Sequence, residues 1–219
     1  MAKTAMVTGA SGGIGGAVAR VLAPTHDVWL GGRRPVAGPG RPWPVDLLDF
    51  DSFPELTKDI ETLDVLVHSA GTVELAPLAD HSVQTWRDTF DLNVVAVAEL
   101  TRVLLPQLRR ANGHVILINS GSGIRANANW GAYAASKFAL RAYADVLRAE
   151  EPDIRVTSVF PGRTATEMQR KVRTAEGGDF RPEDYLSPET VAAAVLHAIT
   201  TPGDAHPTEL VIRPRAAAG

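Results

Sequence analysis

The chain has 219 residues, 45% hydrophobic and 21% charged, enough for one well-packed domain and few for two. A formal charge of -3 and the lack of a long apolar run argue against nucleic acid or a membrane as a partner. There is no cysteine, which excludes disulfides, thiolate metal sites and cysteine nucleophiles and fits a reducing, cytoplasmic location.

In chain order, TAMVT (4–8) reads as a strand and is followed by a helix over 13–23. A strand over 27–31, a short strand near 43–45 and a helix over 51–60 come next. Further strands are expected over 63–69, 114–120, 155–160 and 209–213, with helices over 82–110, 130–150 and 188–200 between them. The strand runs are nearly continuous in apolar character, as strands covered on both faces should be. The alternation predicts an α/β fold: a Rossmann-type, doubly wound parallel sheet of six or seven strands, forming one domain over 1–219. The stretch 163–186 reads as a substrate loop, in which the charges of MQRKVR (168–173) form a solvated face, with a preference for acidic substrates as the less favoured alternative.

Ligands of such sheets bind outside the carboxyl ends of the strands, so the residues after each strand matter most. TGASGGIGG follows the first strand, and its Gly9, Ser11, Gly13, Ile14 and Gly15 open a helix whose N–H groups and dipole suit a pyrophosphate. No Lys-Ser/Thr follows, which disfavours a nucleoside triphosphate loop. The second strand ends in GGRR. An NAD site places an acid here for the ribose 2′-hydroxyl, whereas Arg33 and Arg34 suit the 2′-phosphate of NADP(H), so NAD(H) is the less favoured cofactor. Asp46, followed by Leu47, stands where a third strand ends and can receive the adenine amino group.

Tyr133 and Lys137, four residues apart, share one face of the helix over 130–150. By themselves they are also what a partly buried Tyr beside a solvated Lys would give. Ser120, however, closes a strand 13 residues before Tyr133, and Asn93 lies 27 residues before Ser120. With these spacings the chain resembles the short-chain dehydrogenase/reductase family. TGASGGIG matches its TGxxxGxG, YAASK its YxxxK, INSGSG its serine strand end, and FPGRTAT the segment holding the nicotinamide. The likeness runs from Thr4 to about Arg213. Two departures stand out. HSAG (His68 to Gly71) replaces the usual NNAG, which puts cofactor affinity in question. Asn119-Ser120, with Ser122 beyond it, replaces a common Ser-Ser pair.

The resemblance implies a catalytic set of Ser120, Tyr133, Lys137 and Asn93. Ser120 would hydrogen-bond a substrate oxygen, with Ser122 as a minor alternative, and Tyr133 would move the proton. Lys137 would lower the phenol's pKa and hold the nicotinamide ribose, and Asn93 would hold a relay water. Ser69, Ala70, Gly71, Pro161, Gly162, Thr164 and Thr166 would complete the cofactor site. The implied activity is NADP(H)-dependent reduction of a small or apolar aldehyde or ketone. The alternatives are an NADPH-binding redox sensor without turnover, or an epimerase or dehydratase of related fold. The small residues of WGAYAASKFALRAYADVL fit a four-helix subunit interface, hence a homodimer or homotetramer. No paired metal-ligand spacing occurs among the six His residues, so no metal is expected.

Overall fold

The computed structural model describes residues 3–215, so the ends of the expected 1–219 domain lie outside the described residues. Seven strands, β1 (Lys3–Thr8), β2 (His26–Gly32), β3 (Arg41–Pro44), β4 (Val65–His68), β5 (His114–Ile118), β6 (Arg155–Pro161) and β7 (Glu209–Ile212), form one sheet in the order β3-β2-β1-β4-β5-β6-β7. Every pairing is parallel. The order reverses between β1 and β4, and the carboxyl ends of those two strands frame the crevice in which ligands of such sheets sit.

Period-two alternation divides the core into two layers. Ala5, Val7, Val65, Val67 and Ile116 face helices α1 (Gly13–Leu22) and α7 (Pro188–Thr200), meeting Val18, Leu22, Val191 and Val195. Met6, Leu66, Val115 and Leu117 face the other way. They meet Leu100, Leu104 and Leu108 of α4 (Ala96–Ala111), Leu140, Ala144 and Leu147 of α5 (Gly131–Glu150), and Phe53 of α2 (Phe53–Thr57). Both faces are covered, as the apolar strand runs require. Strand β3 carries Pro42 and Pro44, which an edge position tolerates because it leaves one row of N–H groups unpaired.

Three elements differ from the sequence reading. The helix expected over 51–60 is a 3₁₀ turn (Phe50–Ser52) leading into the short α2, with Pro54 in its first turn. The helix expected over 82–110 is α3 (Val83–Phe90) and α4 joined by a π turn over Asp91–Val95, whose insertion re-aims the side chains of the following turn. The loop at 163–186 contains α6 (Glu167–Ala175). Thr166 caps it by accepting the Gln169 N–H at 3.2 Å, and it ends at Gly177, whose φ of 73° is the left-handed stop of a helix C-terminus.

Candidate active site

At the crevice, β1 gives way to the glycine turn. Gly9 has φ 69°, and a Cβ there would lie 2.9 Å from the backbone N of Ala70. The turn after β1 and the turn after β4 therefore approach at backbone contact. Thr8 joins them: its Oγ1 accepts the N–H groups of Ser69 (3.1 Å) and Ala70 (3.2 Å). Helix α1 begins without a side-chain cap and without an acid in its first turn, and a Cβ on Gly12 would meet nothing within 4 Å. Unpaired helix N–H groups facing open space fit a pyrophosphate. Gly13, with φ 53°, brings this turn to 3.2 Å from the Thr166 methyl, measured from the Cβ site.

A cavity of about 770 Å³ runs from this turn to the catalytic candidates. Gly9, Ser11, Gly13, Ile14, Ser69, Ala70, Gly71, Ser120, Tyr133, Lys137, Pro161, Gly162, Thr164 and Thr166 all line it. Gly15 lies behind the lining, where a Cβ would strike the Gly9 carbonyl. Asn93 is also behind it, 1% exposed. Its Oδ1 accepts the Thr72 N–H (2.9 Å), and its Nδ2 donates to the Thr72 carbonyl and to Ser136 Oγ (3.0 Å each). The amide thus fastens the turn after β4 to α5, and the π turn is what directs it there.

Burial sets the electrostatics. Tyr133 is 8% and Lys137 5% exposed. Burial raises the phenol above its ordinary pKa of 10, and the Ser120 hydroxyl beside it works in the opposite direction. The expected depression of the phenol by Lys137 is not what this arrangement produces. The ammonium donates to the Ile118 carbonyl at 3.0 Å and lies 5.7 Å from the phenol ring centre. Burial in turn pulls the Lys137 pKa down to about 8. Ser120 Oγ accepts the Ser122 N–H at 3.1 Å. Asn119 locks this strand end to α5, with Oδ1 accepting the Ser120 N–H (2.8 Å) and Nδ2 donating to the Lys137 carbonyl (3.1 Å). In HSAG, His68 Nε2 pairs with Thr101 Oγ1 at 2.9 Å, and burial holds this imidazole neutral, its pKa lowered to about 3.

The ends of β2 and β3 are built differently. Arg33, Arg34 and Asp46 are exposed and do not line the cavity, and Leu47 is partly buried. Asp46 Oδ1 accepts the Leu48 N–H at 3.0 Å, a turn cap. Arg33 and Arg34 form no ion pair among the described residues. The sequence reading gave no role to Thr8, Asn119 and two parts of the wall, Trp130 and Arg213 after β7, whereas Met168, Gln169 and Val172 of α6 fall within the substrate loop expected over 163–186. Thr8 and Asn119 sit inside the quoted motifs, so their positions were readable and their hydrogen bonds were not. No three His, Asp or Glu among the described residues form a metal cluster.

Comparison with known proteins agrees with this geometry. The profile of the family described as "short chain dehydrogenase" matches residues 40–177. Human dehydrogenase/reductase SDR family member 11 is 30% identical, with 97% of this chain aligned to 94% of that protein. Glycine betaine reductase ATRR of Emericella nidulans is 32% identical over 97% of this chain, which there spans only 19% of the relative's length. An alcohol dehydrogenase from the archaeon Thermococcus sibiricus, solved with 5-hydroxy-NADP, superposes with a TM-score of 0.86 at 26% identity over 97% of both chains. The chain belongs to the short-chain dehydrogenase/reductase family and is an oxidoreductase of that family.

Proposed function

We propose that this chain is an NADP(H)-dependent carbonyl reductase. The observation that carries the proposal is the convergence of the Tyr133 phenol and the Ser120 hydroxyl in the cavity that the glycine turn opens into. Gly9, Ser11, Gly13, Ile14 and Gly15 would hold the pyrophosphate, and Ser69, Ala70 and Gly71 the neighbouring ribose. Pro161, Gly162, Thr164 and Thr166 would hold the carboxamide. Arg33, with Arg34, would pair with the 2′-phosphate, while Asp46 and Leu47 would border the adenine. Both arginines lack a carboxylate partner among the described residues, and the archaeal neighbour was solved with an NADP derivative. NADPH, when bound, supplies the hydride.

The chain's own residues do the rest. Ser120 Oγ donates to the substrate oxygen and polarises the carbonyl. Tyr133, kept protonated by burial, delivers its proton to that oxygen. Lys137, charged below about pH 8, would hold the nicotinamide ribose hydroxyls. Asn93 keeps the turn after β4 in register with α5, beside which a relay water would sit. Val73, Ile118, Trp130, Met168 and Val172 give the cavity an apolar side, which suits a small or elongated apolar aldehyde or ketone. The exposed Phe138 and Val146 of α5 support a homodimer or homotetramer. Among the described residues no helix is long and apolar enough to cross a membrane. A cytoplasmic location belongs to the proposal and rests on the absence of cysteine.

The test is the loss of reduced-nicotinamide absorbance with a panel of aldehydes and ketones. Turnover of at least one carbonyl with NADPH is expected. Tight NADPH binding with no turnover of any would leave a binding-only sensor instead.

A further inference from the structure

We infer that Arg213 selects the substrate of this site, recognising a carboxylate on the compound whose carbonyl is reduced; the inference rests on the reductase reading above. Arg213 follows β7 and lines the cavity that also holds Ser120 and Tyr133. Two glycines lie beside it. Its Cδ lies 3.5 Å from the point a Cβ on Gly162 would occupy, and its Nη2 lies 3.4 Å from the equivalent point on Gly121, the residue next to Ser120.

Arg213 is an exposed residue whose guanidinium is anchored through one nitrogen. Nη1 donates to the carbonyls of Phe160 (2.7 Å) and Ile212 (3.0 Å), which uses that nitrogen's two hydrogens. The Nε–Nη2 edge remains, and two parallel N–H groups match the two oxygens of a carboxylate. The other charges of the lining are engaged. Arg163 pairs with Glu176 through both terminal nitrogens (2.7 and 2.6 Å), Glu167 pairs with Arg170 at 3.3 Å, and Lys137 donates to Ile118. Arg213 forms no ion pair among the described residues. The substrate class is therefore an oxo acid: a carbonyl group, a short apolar stretch and a carboxylate.

The test compares a straight-chain aldehyde bearing a terminal carboxylate with its methyl ester, using the full chain and NADPH. The acid should exceed the ester in kcat/KM by about ten- to a hundredfold, the scale of a charge-assisted hydrogen bond. Arg213→Met should remove that preference through KM and spare NADPH affinity, and Arg213→Lys should restore part of it. A preference that survives Arg213→Met, a loss shared equally by the ester, or a loss traced to NADPH affinity overturns the inference. Calorimetry of a saturated carboxylate of the same length, added to NADPH-loaded protein, gives a readout without turnover. Binding that Arg213→Met abolishes, with no reduction of either aldehyde, supports the Arg213 site and refutes the reductase reading alone. Turnover with no dependence on Arg213 does the reverse.

Discussion

The two ends of the nucleotide crevice are built on opposite principles. At the end proposed for the nicotinamide, the catalytic candidates are buried or partly buried and held by neighbours: Lys137 by Ile118, Asn93 by Thr72 and Ser136, Ser120 by the Asn119 side chain and the Ser122 N–H. At the adenosine end Arg33 and Arg34 stand exposed with no partner among the described residues. Burial gives the first end shifted proton affinities and geometric constraint, as acid–base work requires. Exposure leaves the second end charge alone, which in the proposed function would sort one cofactor from another through a screened attraction. Chemistry and selectivity should therefore fail independently.

The largest expected effect is at the buried end. Tyr133→Phe removes one oxygen and should lower kcat by ~10² or more while leaving the NADPH dissociation constant within about twofold. Fluorescence titration of the cofactor beside steady-state rates checks both halves. Retained turnover would remove Tyr133 from the mechanism.

At the exposed end, Arg33→Ala should shrink the NADPH-over-NADH ratio of kcat/KM by about ten- to a hundredfold, and Arg34→Ala by less. The wild-type preference should weaken as salt rises. An unchanged ratio would make both arginines simple turn charges.

His68 tests whether burial behind the site carries a pH cost. Its folded pKa, about 3, lies below the ordinary 6.5, so the unfolded chain binds the extra proton as pH falls. Stability from this group is complete above pH 6.5 and is lost progressively down to about 3, roughly 2 kcal/mol of it by pH 5. Urea midpoints at pH 7 and pH 5 should differ more for the wild type than for His68→Gln. Equal differences would contradict the assignment.

The smallest effect is the pH profile of reduction. Lys137 keeps its cation below about pH 8 and loses it above, so kcat/KM should decline by about tenfold per unit from there. Lys137→Met should lack that step and bind NADPH more weakly. A step that persists in Lys137→Met belongs to another group.

The same contrast explains how much was legible in the sequence. Tyr133 and Lys137 fall on one face through helix geometry alone, and the glycine turn and Ser120 follow strands whose apolar runs mark their ends. Those features are local. The π turn over Asp91–Val95 is not, because its residues read as an uninterrupted helix and packing decides the insertion. Helix α6 is polar and starts at Thr166, which reads as part of a binding segment rather than as a cap. The direction of Lys137 toward Ile118, and the burial that raises the phenol's pKa, depend on tertiary packing around α5. Arg213, some 93 residues beyond Ser120 in the chain, joins it in the cavity wall only because β7 pairs with β6.

The most direct test of the central claim follows the hydride itself. Protein, NADPH carrying deuterium at the reactive nicotinamide carbon and an accepted carbonyl compound are incubated, and the alcohol is read by mass spectrometry. Deuterium bound to the former carbonyl carbon of the alcohol, formed by the wild type and lost with Tyr133→Phe, is the predicted result. Alcohol without deuterium from either face of the labelled ring, or no alcohol while the cofactor stays bound and reduced, would contradict it.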